Sequence, residues 1–405
     1  MDELHPLPPG GRSSVVEDAT SVRPPIKPLL AAYWSFGQFW GVWVILVLEF
    51  RGQHGISESR LGLYYTLLST VAVAAMLLIA PRLQPLPLRS SVPLGLLTMA
   101  VATFAIGFLP TGVVLIGFAL LGVGNGLVDV YLNVAAQRAE VAWRKPVLQW
   151  LHASYALGGA TGAAVAGLIL TLHLNFRVGF AYATVALLIM TMWNARTASV
   201  EPGTEGAETS FSISPLFRSP GLWVPALIVL FAFLVEGSMD TWSGLYLRQE
   251  LNASAAVAAG VFIAFSGTVF LGRLFAGRVL FGLGPRTTIL VSGAGSAIGG
   301  AIAVTTGQAW LVGVAFLLLG FSISAAAPAG FGLVDNVDED PTNAIAAVTT
   351  VGYTGFIWSP PLLGYIAQTV DLRAAMTVIV IATVGIVGMG FLVPRRSAAP
   401  ATPRG

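Results

Sequence analysis

The sequence predicts an all-α membrane protein of twelve transmembrane helices, arranged as two pseudo-symmetric six-helix halves. Three observations carry that expectation. Only 10% of the 405 residues are charged and 55% are hydrophobic, where a soluble domain carries about 25% charge. The apolar residues fall into long blocks close to the ~20 residues a helix needs to cross a bilayer, unlike the ~10-residue alternating strands of a barrel. The basic residues, finally, sort to one side once those blocks are threaded through a membrane.

In chain order, residues 1–27 are rich in Pro and Gly, lack an apolar core and read as a disordered cytoplasmic tail, not a cleavable signal. Spans at about 28–50 and 58–80 enclose an outer loop with Arg51 and Arg60. Arg82 and Arg89 then mark an inner turn before spans 92–109 and 112–137. Arg138, Arg144 and Lys145 lie on the inner side again, ahead of span 148–172, with Arg177 outside at the start of span 175–195. The first half is thus 28–195. Residues 196–219 hold Glu201, Glu205 and Glu208 and form a polar cytoplasmic linker.

The second half, 220–393, repeats the arrangement with spans 220–247, 254–279, 286–307, 309–334, 342–368 and 371–393, and 394–405 is a second cytoplasmic tail. Sixteen of the 21 basic residues fall on the inner side, and five, Arg51, Arg60, Arg177, Arg248 and Arg373, on the outer. The positive-inside rule therefore puts both termini in the cytoplasm. Nineteen of the 21 are Arg, a bias that suggests a GC-rich bacterial genome and hence a bacterial inner membrane. A net charge of +2 gives no reason to expect a nucleic-acid partner. Zero cysteines exclude disulfides, thiolate metal sites and a Cys nucleophile. No cofactor, metal motif or nucleophile–base pair is visible, so an enzyme is not expected.

The halves echo one another. Phe118-Ala119-Leu120-Leu121-Gly122 in span 4 matches Phe316-Leu317-Leu318-Leu319-Gly320 in span 10, and Arg82 corresponds to Arg278. Two such repeats joined by a polar linker suit a transporter that rocks about a central site. The segment Gly272-Arg273-Leu274-Phe275-Ala276-Gly277-Arg278, followed by Gly284-Pro285-Arg286, resembles the inner-loop motif of the major facilitator superfamily. That resemblance implies that Arg273, Arg278 and Arg286 act as a latch on helix ends and acids, or serve only as topology signals.

Within that superfamily, Gly122-Val123-Gly124-Asn125-Gly126-Leu127-Val128-Asp129-Val130-Tyr131-Leu132-Asn133, Leu151-His152-Ala153-Ser154-Tyr155 and Glu236-Gly237-Ser238-Met239-Asp240-Thr241-Trp242 resemble the fucose–proton symporter-like branch and its uncharacterised bacterial relatives. In fucose symporters one acid in span 1 and one in span 4 handle protons. Asp129 matches the second, while span 1 of this chain offers Gln38.

Charges inside a bilayer are costly and mark function by default. Asn125, Asp129 and Asn133 form one helical stripe at i, i+4 and i+8. A carboxyl there can bind and release a proton during transport, or be a structural acid held by the neighbouring amides. Glu236 is the second expected proton carrier or a substrate ligand. Asp240, one turn nearer the outer mouth, is expected in an outer gate paired with Arg248. His152, with Gln149 and Tyr155 on its face, is a proton relay or a satisfied structural histidine. Trp34, Gln38, Tyr155, Tyr353 and Trp358, with Asn125 and Asn133, are the expected substrate ligands, since aromatic faces and amides suit sugar-like rings. Trp and Tyr also favour membrane interfaces.

The expected function is alternating-access secondary transport of a small polar, sugar-like solute by a monomer coupled to protons. Proton-driven efflux of amphipathic compounds is the alternative, and a non-transporting receptor or scaffold a remote one.

Overall fold

A computed structural model describes residues 25–83, 86–145, 147–197, 213–334, 337 and 339–395. Most of both tails and of the linker lies outside those residues, and α1 begins at Ile26, inside the stretch expected to be tail. Six helices make the first half: α1 (Ile26–His54), α2 (Glu58–Ala74), α3 (Leu88–Phe108), α4 (Thr111–Trp143), α5 (Val147–Thr171) and α6 (Arg177–Thr197). The short α7 (Ser214–Arg218) precedes the second half, formed by α8 (Trp223–Leu245), α9 (Ala255–Thr305), α10 (Ala309–Ile323), α11 (Ala326–Phe331), α12 (Pro341–Thr369) and α13 (Leu372–Leu392).

Among the described residues ten helices are long and apolar enough to cross a membrane. The 51-residue α9 is really two of the expected spans, run together across Gly284, whose φ of 74° and ψ of 164° are not helical. Pro285 follows directly. A positive φ costs glycine little and proline starts a helix well, so Gly284-Pro285 makes the sharp turn between spans 8 and 9. With α12 the total reaches the expected twelve. Span 10 breaks near Ser324 into α10 and α11, and α4 extends beyond the expected 137 to Trp143.

The helix contacts are the same in both halves. In the first, α1 packs on α5, α2 on α4, and α3 on α6; in the second, α8 packs on α12, the first arm of α9 on α10, and its second arm on α13. Across the halves α2 meets α12 and α5 meets α9, again an equivalent pair. This is the internal two-fold repeat that the sequence echoes suggested.

Glycine sets the closest of these approaches. A Cβ on Gly158 would overlap the Trp34 carbonyl, and one on Gly162 the Gln38 carbonyl; conversely Gly37 and Gly41 of α1 press on the Tyr155 and Gly159 carbonyls of α5. Small residues let backbones touch where lipid offers no hydrophobic drive to associate. The outer faces of the bundle remain apolar and exposed, as at Leu63, Leu157, Leu168 and Ile381, which suits acyl chains.

Candidate functional site

Two adjoining chambers, of about 420 and 340 Å3, lie between the halves at mid-bundle. They share a wall of Trp40, His152, Tyr155, Glu236, Asp240 and Arg273. The first extends between α5 and the first arm of α9, against Phe262, Phe265, Val269, Phe270 and Leu274. It is almost wholly apolar beyond the shared wall. The second runs between α1, α2, α4, α8 and α12 and adds Tyr33, Ser69, Asn125, Asp129, Thr241 and Tyr353. It is the polar one.

Arg273 Nη2 donates to Glu236 Oε2 at 2.8 Å, joining α9 to α8 across the shared wall. Asp240, one helical turn from Glu236, makes no hydrogen bond or ion pair among the described residues, yet is within electrostatic range of both Glu236 and Arg273. On the opposite side Asp129 Oδ1 accepts from Tyr33 Oη at 3.1 Å and from Asn133 Nδ2 at 3.0 Å. Both donors are neutral. Asn125 Oδ1 is buried without a hydrogen-bond partner among the described residues, so an acceptor waits at the wall of the polar chamber. The Tyr33 ring stands edge-on to His152 at 5.6 Å and tilted to Tyr155 at 5.4 Å between centroids, an arrangement that joins α1 to α5 beside the carboxylate.

One end of the site is closed. Tyr65 Oη accepts from Trp43 Nε1 at 2.7 Å and donates across the halves to the Thr241 carbonyl at 3.3 Å, and Trp43, Tyr65 and Trp242 are all buried. Beyond them, towards the α1–α2 loop, the Arg248 guanidinium grips both Glu49 carboxylate oxygens at 2.6 Å each and the Ile45 carbonyl at 2.9 Å. Arg51 adds bonds to Glu58 at 2.6 Å and to Gln249 at 2.7 Å, and Gln249 reaches Glu58 at 3.0 Å. Arg248 and Gln249 sit in a π-helical stretch, Tyr246–Glu250, that continues α8.

Against this geometry the sequence expectations divide. Asp129, Glu236, His152, Asn125, Tyr155 and Tyr353 all border the chambers. Arg273 does too, which corrects its expected place in an inner-loop latch: it lies within the first arm of α9, well before the Gly284 turn, and faces Glu236. Asp240 is corrected likewise. It borders both chambers, and Arg248, its expected partner, is held by Glu49.

Gln38 is fully buried at the α1–α5 seam and donates to Thr161 Oγ1 at 3.2 Å, so it borders neither chamber. Trp34 belongs to the same seam through its carbonyl. Asn133 reaches Asp129 rather than the cavity, and Trp358 is 65% exposed on the outside of the bundle. Arg278 lies over the Phe275 ring and Arg286 donates to the Val393 carbonyl at 2.9 Å; neither meets an acid among the described residues.

The sequence reading missed Tyr33, Glu49 and the Phe262–Phe265–Phe270 wall. The signal for Tyr33 was present, since Tyr33, Phe36, Gly37 and Trp40 share one face at i, i+3, i+4 and i+7.

Residues 29–360 match the family model described as Major Facilitator Superfamily. The chain belongs to that superfamily. It is a multi-pass membrane transporter, and members of this family are not enzymes. It is similar to an uncharacterised MFS-type transporter of Yersinia pestis, with 28% identity over 358 residues, 85% of this chain and 89% of that one. Among solved structures, a bacterial homologue of the human lysosomal transporter Spinster superposes with a TM-score of 0.73 at 12% identity, covering 94% of this chain and 97% of the other. The nucleoside transporter NupG gives 0.69 at 14% identity, covering 90% and 98%. At those identities the likeness is one of fold.

Proposed function

We propose that this superfamily member is a proton-coupled secondary transporter of a small polar, sugar-like solute, akin to the fucose–proton symporter-like branch. The observation that carries the reading is the set of three carboxylates, one guanidinium and one imidazole gathered around two chambers between the two halves. Both termini are cytoplasmic in this proposal, the membrane is a bacterial inner membrane, and the working unit is a monomer. The halves 28–195 and 220–393 move against one another about the linker 196–219.

The chemistry follows from the pairing. Glu236 is neutralised either by Arg273 or by a proton. When a proton takes Glu236, Arg273 loses its 2.8 Å partner and turns to Asp240 or to the solute. Asp129, held among the described residues by neutral donors, is the second proton site, and His152 beside Tyr33 offers a relay between the two. Trp40, Tyr155 and Tyr353 stack on a ring, while Asn125 Oδ1 and the second Asp129 oxygen accept from hydroxyls. The Glu49–Arg248 clamp closes the periplasmic side, so binding and release in this state take place towards the cytoplasm.

Uptake driven by a pH jump in proteoliposomes tests the proposal. Solute accumulation should need an imposed proton gradient, and Asp129→Asn should let solute equilibrate but no longer accumulate under that gradient; proton coupling at the wild-type level in that variant would sink the assignment. A second reading, proton-driven efflux of amphipathic compounds, is favoured by the apolar chamber beside the polar one. The remote third, a receptor that binds without transport, predicts no solute flux in vesicles at all.

A further inference from the structure

The two chambers differ in character, and the wall between them is where they can be occupied together. On one side of Asp240 lie Phe262, Phe265 and Phe270; on the other lie Asp129 and Tyr33. Counting charge at the shared site, Glu236 is neutralised by Arg273. Among the described residues Asp240 has no hydrogen-bond or ion-pair partner, and Asp129 has only neutral ones. When Asp240 and Asp129 are both ionised, the site carries excess negative charge next to a chamber lined by phenylalanines. A sugar alone answers neither feature: it has no positive charge for Asp240, and it leaves the phenylalanine wall unfilled.

We infer that the chambers form a bipartite site for an aromatic organic cation, its charge beside Asp240 and its rings in the Phe262–Phe265–Phe270 chamber. The inference rests on the reading of these chambers as the transport site and extends it to a second ligand class. Ring faces attract a desolvated cation. Asp240, when ionised, adds a point attraction to a cation beside it. The cation and the proton compete for the same carboxylate. The groups facing it decide that competition: Glu236 on α8, Arg273 on α9, His152 and Tyr155 on α5, Asp129 on α4 and Tyr33 on α1.

The test uses the full chain in neutral-lipid nanodiscs and two probes of equal size and opposite charge, tetraphenylphosphonium and tetraphenylborate. Equilibrium binding is measured from pH 5.5 to pH 8.5. The phosphonium should bind saturably, at least tenfold more tightly than the borate, and more tightly as pH rises. Asp240→Asn should weaken it by about tenfold or more, and Phe265→Ala should weaken it at every pH without changing the pH trend. Should Asp240→Asn fail to fold, the comparison of the two probes on the wild-type protein still decides. No saturable phosphonium binding, or equal binding of both probes, overturns the inference. Proton-driven solute uptake without phosphonium binding would leave the proposed function intact and remove only this site. Phosphonium binding with no dependence on pH would do the reverse: the cation site would stand and proton competition would fall.

Discussion

The clamp between Glu49 and Arg248 gives the sharpest energetic prediction. Glu49→Gln keeps the shape of the side chain and removes its charge. In the structure Arg248 makes two hydrogen bonds of 2.6 Å to that carboxylate, with side-chain exposures of 13% and 23%, so solvent screens the pair only partly. Hydrogen bonds to charged groups are worth about 1.5–3 kcal/mol each, and part of that is offset by desolvation. A net loss of about 3 kcal/mol from the closed state corresponds to roughly a 100-fold change in its equilibrium with any state in which the clamp is open. The chain has no cysteine, so spin labels at Gln53→Cys and Ala256→Cys, both exposed positions on opposite halves, report the separation by double electron–electron resonance. Wild type should give one short-distance population, and Glu49→Gln should add a longer one. Superimposable distance distributions in the two proteins would refute the claim that this pair holds the end closed.

Other expectations follow from the same contacts. Gly158→Ala forces a Cβ into the Trp34 carbonyl and should cost about 1–3 kcal/mol by overpacking, lowering the thermal midpoint. Gly260→Ala meets nothing within 4 Å and should be neutral or stabilise by up to about 1 kcal/mol. Arg273→Ala leaves Glu236 without its ion pair and should lower solute transport by about tenfold or more, with Arg273→Lys recovering part of the loss because it restores charge without the planar fork. Trp358→Leu, outside the bundle, should leave transport rates unchanged, whereas Tyr353→Ala should raise the KM for solute.

The fold was legible because the bilayer permits so few solutions: every backbone polar group must be paired within the segment. The candidate site was legible only in part, and α1 shows why. Along most of its length this helix is surrounded by protein, so apolar and polar residues alike are buried on all faces. Trp34, Gln38 and Gly41 form a plausible polar–aromatic face, but it is the seam with α5; Tyr33, Phe36, Gly37 and Trp40, turned part-way round the helix, meet the chambers or Tyr155. Which face turns inward depends on where α5 sits, and that is set by the glycines of both helices together. Asp240 and Arg273 were misplaced for a related reason. Position along a span gives depth, not direction, and the partners that fix direction, Glu236 and Glu49, lie 37 residues from Arg273 and 199 from Arg248.

The central claim is that carboxylates of these chambers couple solute movement to protons. It is tested most directly by internal pH in pyranine-loaded proteoliposomes, on addition of a solute first found by thermal-shift screening of a sugar library. Wild-type protein should carry protons inward with the solute, and Asp129→Asn and Glu236→Gln should exchange solute across the membrane without moving protons. Solute flux in the wild type with no change in internal pH, or undiminished proton movement in both variants, would contradict the account.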